Sequence, residues 1–149
     1  MAFLIDTSIL VRLANVADAK FAVADRAVAE LRRRGESVHM TAQNLIEFRN
    51  VATRPTVVNG LGLTVAEAES KSAIFEGSFP LLLETPDIYP AWKTLVTSLV
   101  VIGKRVHDAR LVAICHVHKV THLLTFNTPH FQSLATFGPG VIIVDPASV

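Results

Sequence analysis

Apolar residues in this chain fall into blocks of two kinds. Phe3-Leu4-Ile5, Leu81-Leu82-Leu83, His122-Leu123-Leu124-Thr125 and Val141-Ile142-Ile143-Val144 are runs of strand length, and Ser37 to Thr41 is another short one. Between them the apolar positions recur at helical spacing. Ile9-Leu10-Val11 follows the polar turn Asp6-Thr7-Ser8, and residues 20–34 carry Phe21, Val23, Ala24, Ala27, Val28 and Leu31. That second helix ends in Arg32-Arg33-Arg34-Gly35, cations followed by glycine, which marks a helix C-terminus. Residues 43–53 read as a third helix, stopped before Pro55, and residues 54–62 as a loop broken by Pro55, Asn59, Gly60 and Gly62.

Further along, Thr64-Val65-Ala66-Glu67 matches a capping box and opens a helix towards Ser78. Residues 86–101 predict a helix that tolerates Pro90 only within its first turn. Asp108 opens a last helix, 109–118, that is apolar nearly all round. Short apolar strands alternating with helices imply a mainly parallel sheet with helices on both faces. No repeat, linker or low-complexity segment interrupts the pattern, so residues 1–149 are expected to form a single domain.

Composition narrows the function classes. Half of the 149 residues are hydrophobic and 18% are charged, which suits a packed core and excludes a disordered chain. With 14 basic and 13 acidic residues the net charge is +1, so any nucleic-acid contact has to come from local clusters. Cys115, the one cysteine, lies in an apolar helical stretch and is expected as a buried thiol. The start shows no signal-peptide pattern and no apolar run reaches membrane-spanning length, so the expected setting is cytoplasmic, with no membrane partner.

Four polar residues stand at comparable ends of elements. Asp6 follows the first strand, where open α/β sheets place their ligands; the simpler alternative is that it caps the next helix, with Thr7 and Ser8 as other caps. Glu47 shares a helical face with Asn44 and Asn50, a face that solvent contact alone would explain. Asp108 has the same capping alternative, and Asn127, in Thr125-Phe126-Asn127-Thr128-Pro129, reads equally as a turn residue.

Gathered together, these acids carry a physical consequence that isolated caps do not. Two unit charges about 4 Å apart repel by roughly 4 kcal/mol at an effective dielectric near 20. Three carboxylates in one site must therefore be protonated or bridged by a cation, and an all-oxygen set suits Mg²⁺ or Mn²⁺. Such an ion polarises a phosphodiester and activates water, which points to metal-dependent hydrolysis of a phosphate ester. A zinc site is disfavoured, since Cys115 stands alone and His116 and His118, two apart, lie on different sides of a helix.

At these residues the chain resembles the PIN-domain ribonucleases, in particular the VapC-type toxins of toxin–antitoxin pairs. The resemblance spans essentially the whole chain. It rests on Leu4-Ile5-Asp6-Thr7-Ser8-Ile9-Leu10, Gln43-Asn44-Leu45-Ile46-Glu47-Phe48, Val106-His107-Asp108-Ala109-Arg110-Leu111-Val112-Ala113 and Leu123-Leu124-Thr125-Phe126-Asn127-Thr128-Pro129-His130-Phe131. It implies a three-layer α/β/α sandwich with the acids meeting in one groove. Asp6, Glu47 and Asp108 then match the family's metal-binding acids, joined by Asn127 as a catalytic position. On that reading Thr7 or Ser8 orients the acids or binds phosphate; Arg110 and Thr125 are further candidate substrate contacts, and His130 reads either as a substrate contact or proton donor or as a plain turn or helix-start histidine. The resemblance further implies hydrolysis of RNA to a 5′-phosphate and a 3′-hydroxyl, a homodimer, and a cognate antitoxin whose segment lies across the groove.

The chain departs from the fullest family pattern at its last motif, where many members carry Asp in place of Asn127 and often another in place of His130. One formal negative charge fewer weakens a second ion more than the first, so one tightly held ion is expected. Lys104, Arg105 and Arg110 flank Asp108 and read either as RNA phosphate contacts or as solvated charges; Arg110 has the further option of pairing with an acid. Arg32 to Arg34 serve a distant helix end, and Tyr89 and Trp92 suit the core or a dimer interface better than base stacking. Two other functions stay open: a catalytically weak PIN-like module that binds RNA or protein, and an aspartyl-phosphate phosphotransferase. The latter needs a second Asp two residues after Asp6, where Ser8 stands.

Overall fold

A computed structural model describes residues 1–149. Ala2–Ile5 forms strand β1, followed by helices α1 (Thr7–Leu13) and α2 (Phe21–Arg33) and strand β2 (Ser37–Thr41). Helices α3 (Ala42–Thr53) and α4 (Val65–Ser78), strand β3 (Leu81–Leu82) and helices α5 (Ile88–Ser98) and α6 (Arg105–His118) come next. Strand β4 (His122–Leu124), helix α7 (Thr128–Ala135) and strand β5 (Ile142–Val144) complete the order. All strands are parallel, in the order β3-β2-β1-β4-β5. This is an α/β/α sandwich with β1 at the centre, as the sequence pattern leads one to expect.

The period of two in a strand separates the layers. Phe3 and Ile5 of β1 and Leu124 of β4 pack with Ile9, Leu10, Ala24, Val28, Leu31, Phe48 and Phe75 under α1 to α4. Leu4 of β1 and Leu123 of β4 point the other way, onto Leu95, Ala109, Val112, Cys115, Phe131 and Leu134 of α5, α6 and α7. Helix α6 lies between α5, α7 and the sheet, which is why its sequence is apolar nearly all round. Cys115 is buried there, and burial pushes its thiol up to about 12.

Local signals place most element ends. Thr41 and Thr64 each cap a helix in a reciprocal box, with Asn44 and Glu67 as the returning side chains. Arg33 and Arg34 pair with Glu30 at the end of α2, whereas Arg32 reaches across to the Ser78 carbonyl at the end of α4.

Three boundaries differ from the sequence reading. Helix α5 covers 88–98, not 86–101, with Pro90 third in its first turn, where its missing N–H costs nothing. Helix α6 begins at Arg105, so Asp108 lies within the first turn and does not open it. Helix α7, entered through Pro129, has too short an apolar stripe to register as periodicity.

The order β3-β2-β1-β4-β5 reverses direction at β1. Chain connections leave it towards β2 and β3 on one side and return to β4 and β5 on the other. A crevice opens at the carboxyl ends of strands at such a point. Asp6 stands there, its backbone N–H donating to the Leu124 carbonyl at 2.9 Å.

Candidate acidic active-site groove

Each acid reaches the crevice from a different layer. Asp6 leaves the end of β1, Glu47 projects from the second turn of α3, and Asp108 from the first turn of α6. Asp6, Glu47, Asp108 and Asn127 all line a single groove of about 690 Å³, together with Thr7 and Ser8. Residues separated by more than a hundred positions thus share one surface because the sheet order sets β1 beside β4.

Asp6 is 5% exposed and is held by hydroxyls. Its Oδ2 accepts from Ser8 Oγ at 2.7 Å and from Thr125 Oγ1 at 2.8 Å, and more weakly from the Ser8 N–H at 3.4 Å. Asp6 therefore does act as the cap of α1, and it does so with one oxygen only. Oδ1 takes no hydrogen bond from the protein. Thr125 Oγ1 in turn accepts the Asn127 N–H at 2.9 Å, and Ser8 Oγ accepts the Phe126 N–H at 3.2 Å, so the turn after β4 is tied to the same carboxylate.

Glu47 is gripped on both oxygens. Thr7 Oγ1 donates to Oε2 at 2.6 Å and Gln43 Nε2 to Oε1 at 2.8 Å. The face it shares with Asn44 and Asn50 reaches solvent at Asn50 and is buried at Asn44. Asn44 is fully buried, donates through Nδ2 to Thr7 Oγ1 at 3.3 Å, and closes the cap of α3.

The Asp108 carboxylate accepts no hydrogen bond from any protein group and caps nothing. Burial pushes its carboxyl up to about 6, the nearby charges of Asp6 and Glu47 push the same way, and His130 and Arg105 oppose them. The acids therefore feel one another across the groove, as like charges in a shared low-dielectric site must.

The other nominated residues are placed less centrally. Asn127 and His130 are exposed, with His130 close enough to Asp108 for its charge to count. Arg105 donates to the His130 carbonyl and to Ser133 Oγ, both at 2.8 Å. Arg110 does not line the acidic groove: its guanidinium meets Glu84 Oε2 at 2.5 Å and Gln43 Oε1 at 3.1 Å. Trp92 is half-buried, its indole N–H donating to the Val106 carbonyl at 2.8 Å, while Tyr89 is exposed beside it.

Sequence reasoning passed over Arg12, Asn15 and Asp18, which form the far wall of the groove with the Arg12 to Asp18 ion pair at 2.5 Å. The available signal was Arg12 itself, the only charge in α1. Thr56, Asn59, Gly60 and Leu61 of the 54–62 loop form the rim. Gly60 is required there, since a Cβ would lie 1.8 Å from the Arg54 carbonyl oxygen.

The donor set is all oxygen: Asp6 Oδ1 and both oxygens of Asp108 are free of protein hydrogen bonds, and Glu47 and the Asn127 amide stand on the same groove. These fit a hard divalent cation such as Mg²⁺ or Mn²⁺, which takes one or two carboxylates and keeps several waters. No three His, Cys, Asp or Glu side chains of the chain stand close enough together to form a finished coordination shell.

Comparison with known proteins agrees with the fold. The family model described as PIN domain matches residues 3–135. No curated protein matches in sequence. Among solved structures, VapBC2 from Rickettsia felis, bound to a DNA fragment from its promoter, superposes with a TM-score of 0.70 at 17% identity, covering 97% of this chain and 98% of that one. VapBC-1 from nontypeable Haemophilus influenzae gives 0.70 at 15% identity, covering 98% of both chains. The sarcin-ricin loop cleaving toxin VapC20 from Mycobacterium tuberculosis gives 0.58 at 20% identity, covering 81% of this chain and 86% of that one. At these identities the likeness is one of fold.

Proposed function

The chain belongs to the PIN domain family, and on that premise we propose that it is a Mg²⁺- or Mn²⁺-dependent endoribonuclease, the toxin of a toxin–antitoxin pair. The observation that carries this reading is the shared groove of Asp6, Glu47 and Asp108, with the Asp108 carboxyl raised to about 6 by its surroundings. Asp6 and Asp108, with Glu47 and Asn127 lining the same groove, would hold the divalent ion, which when bound would supply charge to the phosphate and lower the pKa of water.

The chain's own residues do the rest. Ser8 and Thr125 fix one oxygen of Asp6 and leave the other to the groove. Thr7 holds Glu47, and through it α1 and α3 keep a constant spacing. Arg12, Asn15 and Asn59 offer donors for phosphates and sugar along a single strand. His130, exposed and near enough to Asp108 to act on its carboxyl, is taken as a substrate contact.

The toxin fold of VapC-like neighbours supports the partner reading, in which a cognate antitoxin covers the groove. Ile46 of α3, Leu81 of β3, Leu83 just after it and Tyr89 of α5 are exposed apolar side chains that suit a homodimer contact. No helix is long and apolar enough to cross a membrane.

The test is purified protein acting on total RNA, with new 5′ ends mapped. Cleavage that needs Mg²⁺ or Mn²⁺ and falls at least about a hundredfold in Asp6→Asn and in Asp108→Asn is expected. Cleavage indifferent to both substitutions contradicts the assignment. The uncharged Asn127 favours one second reading, an RNA- or protein-binding module of weak activity; retention of RNA without cleavage is its signature.

A further inference from the structure

We propose that Gln43 is a positioning residue of the acidic groove, its amide holding the Glu47 carboxylate against the turn that carries Asp108. The proposal rests on the metal-dependent reading above and deepens it. Gln43 lies one turn before Glu47 on α3 and is only 9% exposed, which is unusual for an amide unless its hydrogen bonds are made.

Here they are made with three separate partners. Nε2 donates to Glu47 Oε1 at 2.8 Å and to the His107 carbonyl at 2.9 Å, while Oε1 accepts from Arg110 Nη1 at 3.1 Å. The orientation has no alternative. A flipped amide would set Oε1 against a carboxylate and a carbonyl, both acceptors, and Nε2 against a guanidinium, which only donates. Arg110 is fixed in its turn by Glu84 Oε2 at 2.5 Å.

Two consequences follow for the acids. His107 directly precedes Asp108, so one neutral side chain sets the spacing between the helix bearing Glu47 and the turn bearing Asp108. Because the amide is uncharged, it steadies Glu47 without cancelling the negative field that a cation needs, as a lysine there would. With Thr7 on Oε2 and Gln43 on Oε1, Glu47 is oriented from both sides, and such outer partners commonly govern metal affinity.

The test is Mn²⁺ titration calorimetry together with thermal melting, on wild type, Gln43→Met and Gln43→Ala. Methionine keeps length and helix preference but removes the amide. Alanine keeps the helix, adds no charge and removes the side chain altogether, and it decides the matter should the methionine variant fail to fold. Folded variants that bind Mn²⁺ at least about tenfold more weakly are expected. Wild-type Mn²⁺ affinity in a folded variant, with only the melting temperature changed, overturns the role of Gln43 and leaves the metal reading intact. A wild-type protein that binds no Mn²⁺ overturns both.

Discussion

Thr125 Oγ1 donates a hydrogen bond to Asp6 Oδ2 at 2.8 Å, joining the ends of two adjacent parallel strands that lie 119 positions apart in the chain. The same hydroxyl accepts the Asn127 N–H, and Thr125 is completely buried. Thr125→Val keeps the shape and removes both bonds, leaving a buried carboxylate oxygen and a backbone N–H short of a partner. A loss of about 1–3 kcal/mol in denaturant unfolding is expected. Mn²⁺ affinity falls with it, by about 10-fold or more, because Asp6 loses its brace.

Asp108 makes stability depend on pH in a defined direction. Its folded-state carboxyl, pushed up to about 6, keeps its proton over a range where the unfolded chain has already lost it. In chelator, the protein is therefore expected to lose stability as pH rises from the ordinary carboxylate range through about 6. Asp108→Asn removes that slope. Denaturant unfolding at several pH values, with and without Mn²⁺, reads it, and Mn²⁺ affinity rises over the same interval as the proton leaves.

Asn127 limits the number of ions. Calorimetric titration with Mn²⁺ is expected to give one tight site, and Asn127→Asp to add affinity for a second ion by restoring a charge to the groove. Two equally tight sites in the wild type would contradict this.

Cys115 reports on the packing of α6 between the sheet and its neighbours. A fully buried thiol raised to about 12 is protonated and shielded at neutral pH. Alkylation of the folded protein is expected to be negligible over hours and to become complete in denaturant, as mass spectrometry will show.

Much of the architecture was legible because its signals are local. Three-residue apolar strands ending in Asp6 or Thr125, the cation-glycine stop at Arg34-Gly35 and the Thr64-Glu67 box each act within a few residues. Parallel pairing followed from helices standing between strands. The convergence of Asp6, Glu47 and Asp108 rests on strand order, which spacing cannot encode; the family resemblance supplied it.

Residues whose meaning depends on a distant partner were less readable. Asn44 shares a helical face with Glu47 and so reads as polar surface, yet α1 packs over it and turns it inward onto Thr7. Gln43 carries no signature of its own, because its partners His107 and Arg110 come from another layer. Arg110 looked like a groove residue by its closeness to Asp108, but two positions along a helix turn a side chain by more than half a revolution, towards Glu84. Helix α7 was missed because eight residues carry little periodicity.

The most direct measurement of the central claim is a crystal soaked in Mn²⁺ and analysed by anomalous scattering. The account predicts one strong peak between Asp6 Oδ1 and the Asp108 carboxylate, with Glu47 beside it, and no such peak in Asp6→Asn crystals. A peak elsewhere on the surface, or an unchanged peak in the variant, would contradict it.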